Sequence, residues 1–198
     1  MDLYFLNIKD ISDNDILDIK NHLPLRYLKS SSFKNEEDRL RCLGAGVLLR
    51  RCFPTLKEED IFYNQYGKPY IKSKFFNISH SGNYVLLIIA DNETGIDIQK
   101  IKSININNFN SILSDNEKNT LNKNSDFTFY KIWTRKESVI KLLGVGLKIP
   151  LKTIDTTLYD KDGFIKINNK IIYISTFEIE DYIYSVSSLN KEKIIKHF

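Results

Sequence analysis

The sequence predicts an α+β fold of two similarly built halves, each with a helix packed on an antiparallel sheet. A helical pattern over residues 36–51 is followed by extended segments, and the same order returns with a helical pattern over 127–143 followed by further strands. Tight-turn sequences punctuate both strand regions, Gly67-Lys68-Pro69 in the first and Asp162-Gly163 in the second. A hydrophobic share of 42% over 198 residues is enough to fill the core that such halves would share.

The opening YFLNI reads as a short strand, and a polar segment then leads into EEDRLRCLGAGVLLR. From Leu40 onward the apolar positions of that stretch recur at helical spacing, and its early acids suit a helix start. Gly44 and Gly46 lower helix propensity but let another element approach closely. IFYNQYGKPYI reads as two extended pieces about a turn. FFNISHSGNYVLLIIA reads as a strand, a polar SHSGN turn and a continuous apolar strand buried on both faces. GIDI follows as another extended piece, and the asparagine-rich stretch to Ser125 holds loops and a short helix around 114–121. The long helix begins after Ser125-Asp126 and stops at Gly144, reinforced by Gly146. The closing segment from Tyr159 reads as two or three antiparallel strands. These readings divide the chain into residues 1–96 and 97–198.

With 29 basic and 25 acidic residues the net charge is +4, too slight for the cationic stripe of a nucleic-acid binder. An anionic ligand or an acidic protein partner fits better. Cys42 and Cys52 lack a CxxC partner, so they read as ordinary thiols rather than zinc ligands or a disulfide. The N-terminus lacks a basic region before an apolar core, and no run nears the roughly 18 apolar residues of a membrane span. A soluble cytoplasmic protein is expected.

On the long helix a 100° step puts Phe129, Ile132, Trp133, Ile140 and Leu143 on one stripe, with Glu137 and Lys141 along its margin. From there both can face a cleft, although an exposed ion pair one turn apart has the same spacing. Asp97 and Gln99 share one strand face, as they would on an exposed edge strand. If Asp97 and Glu137 converge, they form a hard oxygen site suited to Mg2+, which uses one or two carboxylates together with phosphates and water. His80 in the polar segment is placed either to hold a phosphate or to bond the backbone. Arg26, Lys29 and Arg41 are candidates for an anion pocket. No glycine pattern forms a phosphate loop, since Gly144-Val145-Gly146 closes a helix instead of opening one.

In order and spacing, YGKPYI, FNISHSGNYV, GIDIQK and FYKIWTRKESVIKLLGVGLKIP resemble the 4'-phosphopantetheinyl transferases of the surfactin-synthetase-activating type. The resemblance spans nearly the whole chain. It implies an intramolecular pseudo-dimer with coenzyme A between the halves. The first half would bind the nucleotide and 3'-phosphate, and the second would carry the metal, the catalytic helix and the carrier-protein docking surface. It further implies Mg2+ on Asp97 and Glu137, with Gln99, which stands where many relatives have glutamate, as a third metal residue binding weakly or through a water. Lys141 would neutralise phosphate charge, and His80, Arg41, Arg26 and Lys29 would hold the 3'-phosphate. Tyr66, Gly67, Lys68, Pro69 and Ser79 would line the adenine pocket. The implied reaction moves 4'-phosphopantetheine from coenzyme A to a serine of an acyl or peptidyl carrier protein, with Glu137 taking the hydroxyl proton, and releases adenosine 3',5'-bisphosphate. Lys136 reads as packing or a salt bridge, and Trp133 as core. A pseudo-dimer holding its own cleft makes a monomer the simpler expectation. The rival readings are a Mg2+-dependent phosphohydrolase and a noncatalytic coenzyme A or carrier-binding module.

Overall fold

Strand β1 (Asp2–Asn7) opens the computed structural model, which describes residues 1–121, 126–157 and 162–198, with Leu147 by its main chain only. Two helices follow where the sequence reads as a polar segment. Helix α1 (Asp13–His22) starts on a capping box: Ser12 Oγ accepts the Asp15 N–H at 3.2 Å, and the Asp15 carboxylate accepts the Ser12 N–H at 3.0 Å. Helix α2 (Pro24–Ser31) starts on Pro24, whose missing N–H has no cost in a first turn. Few apolar residues mark these helices, so their caps are the stronger sequence signal. Helix α3 (Glu36–Cys52) is capped by Asn35, and its glycines allow the expected close packing. An added Cβ would stand 3.0 Å from Val85 at Gly44 and 2.8 Å from Arg26 at Gly46.

Strands β2 (Phe62–Tyr63) and β3 (Pro69–Tyr70) flank the Gly67 turn, where φ is 82°. Strands β4 (Phe75–Ser81) and β5 (Tyr84–Ala90) form a tighter hairpin than SHSGN suggests. His80 and Ser81 still pair with Val85 and Tyr84, leaving Gly82-Asn83 as the turn. Strand β6 (Thr94–Lys100), α4 (Asp115–Leu121) and α5 (Asp126–Leu143) match the sequence reading. The helix-start signal at Ser125 and the beginning of the closing segment at Tyr159 lie outside the described residues.

Strands β7 (Asp162–Ile167), β8 (Lys170–Ile179) and β9 (Tyr182–Ser188) form the expected antiparallel meander, with one correction. Asp162 and Gly163 are in β7, opposite Ser175 and Ile174, and do not make the turn. Asn168 (φ 47°) and Asn169 (φ 64°) make it, since asparagine tolerates the left-handed conformation that a two-residue hairpin demands. A final strand, β10 (Ile195–His197), was not anticipated and runs parallel to β1.

The fold is mixed α+β, with four-stranded sheets ordered β10-β1-β5-β4 and β6-β9-β8-β7. The run β1-α3-β4-β5 has strand order β1-β5-β4, and β6-α5-β8-β9 has order β6-β9-β8. The chain changes sheet between Ala90 and Thr94, so a division after residue 96 would cut β6. Alternating side chains explain the layers. Leu6, Val85 and Leu87 face the Leu43 and Leu48 side of α3, whereas Leu3, Phe5, Leu86 and Ile88 meet Ile96, Ile98, Tyr184 and Val186 of the other sheet. The sheets therefore pack on each other, and α5 covers the outer face of the second through Val139, Leu142, Ile172 and Ile174.

Candidate active site

Glycine 95 sets the distance between β6 and α5. A Cβ there would lie 2.0 Å from the Ser138 carbonyl oxygen and 2.4 Å from the Leu142 nitrogen, so only glycine admits the helix backbone this close. Two residues on, Asp97 emerges on the α5 side and meets the helical turn that carries Glu137 and Lys141.

Asp97 is 3% exposed. Lys141 Nζ donates to its Oδ1 at 2.6 Å, Ser79 Oγ donates to the same oxygen at 2.9 Å, and Gln99 Nε2 donates to Oδ2 at 3.0 Å. Ser79 also accepts from Lys141 Nζ at 2.9 Å and from the Ile98 N–H at 3.2 Å. Strands β4 and β6 and helix α5 thus converge on one carboxylate in a polarised network. Half-buried Glu137 sits near enough to feel it. Desolvation, and then the negative charge of Asp97, raise the Glu137 pKa against the opposing pull of Lys141. The pair is therefore not an exposed surface ion pair, and Asp97 is not on a solvated edge.

His80 follows Ser79 on β4. Partial desolvation and the positive charges of Lys141 and Arg41 lower its pKa, so it favours the neutral imidazole. Arg41 on α3 donates to the Gly82 carbonyl at 2.7 Å and pairs with Asp38 at 2.5 Å and Glu37 at 3.3 Å. The hairpin tip is held from the other half too: the Asn83 N–H donates to Tyr182 Oη at 3.0 Å. Arg26 on α2 is partly buried, with Nη1 3.4 Å from the Cys42 carbonyl, and Lys29 is exposed on the same helix.

The Tyr66, Gly67, Lys68 and Pro69 turn lies at the C-terminus of α5. Lys68 Nζ donates to the carbonyls of Leu142 at 3.1 Å and Thr94 at 3.3 Å, and Asn64 Nδ2 donates to that of Gly144 at 2.9 Å. A cation is well placed among the unpaired carbonyls of a helix end. Burial lowers the Lys68 pKa. A cavity of about 560 Å³ opens beside this turn, lined in part by Lys68, Pro69, Tyr70, Lys72 and Phe76. Tyr66 is exposed under Lys148, whose Nζ is 4.7 Å from the ring centre.

Lys136 does not face the site. It is fully buried against Glu117 at 2.7 Å and also donates to the Leu151 and Ile154 carbonyls, which fits a salt bridge that fixes α4 and the loop after α5. Glu117 was missed, although Ser114-Asp115-Asn116-Glu117 spells a capping box; the Ser114 N–H donates to its carboxylate at 2.8 Å. Trp133 packs with Phe109 and Phe129, as its place on the apolar stripe suggested. The cysteines are free. Among the described residues no group of three or more His, Cys, Asp or Glu stands ready for a metal, and no helix is long and apolar enough to cross a membrane.

Comparison with known proteins decides the family. The 4'-phosphopantetheinyl transferase superfamily profile matches residues 93–187, from the start of β6 through most of β9. A 4'-phosphopantetheinyl transferase of Bacillus subtilis, ffp, is 33% identical over 168 residues, covering 77% of this chain and 75% of its own. The chain belongs to the 4'-phosphopantetheinyl transferases. A second member of that family, Sfp of Bacillus subtilis strain 168, is 33% identical over 79% of this chain and 77% of its own. The AcpT transferase of Salmonella typhi is 31% identical over 61% of this chain and 66% of its own. Within this transferase chain, the family match begins with the strand that delivers Asp97 and takes in the helix that delivers Glu137 and Lys141.

Proposed function

We propose that this transferase moves 4'-phosphopantetheine from coenzyme A to a serine hydroxyl of an acyl or peptidyl carrier protein. The observation that carries the reading is the meeting of Asp97, Lys141 and Ser79 in one network beside a Glu137 carboxyl whose proton affinity is raised. A carboxylate placed beside the reacting phosphate can accept the hydroxyl proton, directly or through a water. Glu137 takes the serine proton, the serine oxygen bonds to the β-phosphorus of coenzyme A, and the bridging P–O bond to the nucleotide breaks. The bond electrons leave with adenosine 3',5'-bisphosphate. Lys141 offsets charge on the phosphates, where preorganised electrostatics has the most leverage.

The donor set fits Mg2+. Asp97 and Glu137 are hard oxygen donors whose mutual repulsion a divalent cation relieves, and Mg2+ commonly completes its shell from phosphate and water. When bound, the ion supplies charge neutralisation at the pyrophosphate. Gln99 now turns its NH2 to Asp97, so it joins only by presenting its carbonyl oxygen. His80 and Arg41, with Arg26 and Lys29 on α2, are assigned to the 3'-phosphate. Ser79 and the Tyr66, Gly67, Lys68 and Pro69 turn, with its adjoining cavity, are assigned to the adenine.

The matching β-α-β-β strand orders support an intramolecular pseudo-dimer, with the first half serving the nucleotide and the second the catalytic helix and carrier docking. The net charge of +4 suits an acidic carrier, and we assign the protein to the cytoplasm as a monomer that does not use nucleic acid. The test is intact-mass analysis of a panel of apo carriers incubated with the protein, coenzyme A and Mg2+. A carrier gaining one phosphopantetheine is the expected result. Phosphate release with every carrier unchanged would overturn it in favour of a phosphohydrolase.

A further inference from the structure

The face of β4 that meets the second sheet is polar where its neighbour β5 is apolar. Asn77, Ser79 and Ser81 stand opposite Ile88, Leu86 and Tyr84. Among the described residues strand β6 pairs with β9 on one side only, and its other edge lies against these three side chains. Asn77 Oδ1 accepts the Ile96 N–H at 2.9 Å, Ser79 Oγ accepts the Ile98 N–H at 3.2 Å, and Ser81 Oγ accepts the Lys100 N–H at 2.9 Å. Each rung joins residues 19 apart, so the strands run in step with side chains replacing one backbone.

The rungs at Ile96 and Ile98 bracket Asp97. Their spacing sets which β4 residue faces the carboxylate: a slip of one rung would move Asp97 by roughly 7 Å and take it off Ser79. Ser79 touches Asp97 and Lys141 directly, whereas the hydrogen bonds found for the other two side chains go to the β6 main chain. Asn77 is buried, so its amide oxygen answers an N–H that water does not reach.

We propose that Asn77 and Ser81 are positioning residues for the transfer, acting through the β6 main chain to keep Asp97 in register with His80 and Arg41 across the two sheets. The proposal rests on the transferase reading. It assigns function to residues whose hydrogen bonds here go to the β6 main chain and not to Asp97, Glu137 or Lys141, and it makes the junction of the sheets part of the active-site geometry. Displacing a reacting geometry by about 1 Å can cost up to 10²-fold in turnover.

The test compares wild type, Asn77→Ala, Ser81→Ala and Ser81→Thr by carrier mass gain, with circular dichroism to verify folding. Ser81→Ala leaves two rungs intact, so it keeps the assay usable even if Asn77→Ala does not fold. The expected result is kcat lowered about tenfold in Ser81→Ala with KM for coenzyme A within about threefold, and kcat restored in Ser81→Thr, which keeps the acceptor oxygen. Folded alanine variants with wild-type kcat would overturn the positioning role, as would a loss confined to KM or one that threonine fails to restore. Wild type separates the two readings. If it modifies no carrier, the transferase reading fails and this proposal with it; if it does and the alanine variants match it, the positioning role alone fails.

Discussion

Asp97 binds an ammonium, a hydroxyl and an amide at once, so a change at any one neighbour should be felt at the carboxylate. Glu137→Gln keeps the shape of the side chain and removes its ability to take a proton. We expect kcat to fall about 10²- to 10⁴-fold in the carrier mass assay. His80 supplies a different test. Its native pKa lies below the ordinary histidine value of about 6.5, because of desolvation and the facing charges of Lys141 and Arg41, opposed in part by Asp38. Between the lowered and the ordinary value the unfolded chain binds more protons than the native one. Stability therefore rises with pH through that window and is lost as pH falls through it. The drop in urea midpoint from about pH 7 to about pH 5.5 should be shallower in His80→Gln than in wild type. Strand and helix periods put Asp97 on one strand face and Glu137 and Lys141 along one helix margin, but an exposed edge and an exposed ion pair have the same spacing, so it was the motif resemblance that singled the three out. Their partners were not legible. Ser79 and Lys141 are 62 residues apart, and no local pattern announces which hydroxyl a lysine will reach across the fold.

Among the elements, the contact of α5 with β6 is the most demanding. Gly95→Ala would push a methyl group into the Ser138 carbonyl and the Leu142 amide, both helix backbone, so the helix itself must shift. We expect a loss of about 3 kcal/mol, toward the upper end for overpacking, read as a lower urea midpoint with unchanged slope, and transfer should fall as Asp97 and Lys141 separate. Helices α3 and α5 were legible from apolar spacing, and β1, β5 and β6 from short apolar runs. Helices α1 and α2 were not, because their information lies in Ser12, Asp15 and Pro24 at their starts. The β7–β8 turn was misread for a related reason. Asp162-Gly163 has the stronger turn composition, but pairing of β7 with β8 places the reversal at Asn168-Asn169.

In the whole molecule, the core between the sheets belongs to neither half. Leu3, Phe5, Leu86 and Ile88 are covered by Ile96, Ile98, Tyr184 and Val186, and β10 returns from the second half to extend the first sheet. Neither half can open without exposing apolar surface of the other, so unfolding should be all-or-none. Urea transitions followed by circular dichroism and by amide exchange of Leu86 and Tyr184 are expected to coincide; separate midpoints would show that the halves melt independently. The sequence suggested a repeat of helix followed by strands. It left the meeting of the repeats unread, because the junction is written in Asn77, Ser79 and Ser81, whose polarity resembles that of an ordinary exposed strand.

The aromatic cluster around Trp133 has a practical side. Trp133 is the only tryptophan, stacked on Phe129 and edge-on to Phe109, one helical turn before Glu137. Phe109 ends a short 3-10 helix before α4, so one indole borders both that segment and its own helix α5. Its emission is a native, label-free optical gauge of the packing between the two, readable with and without added substrates.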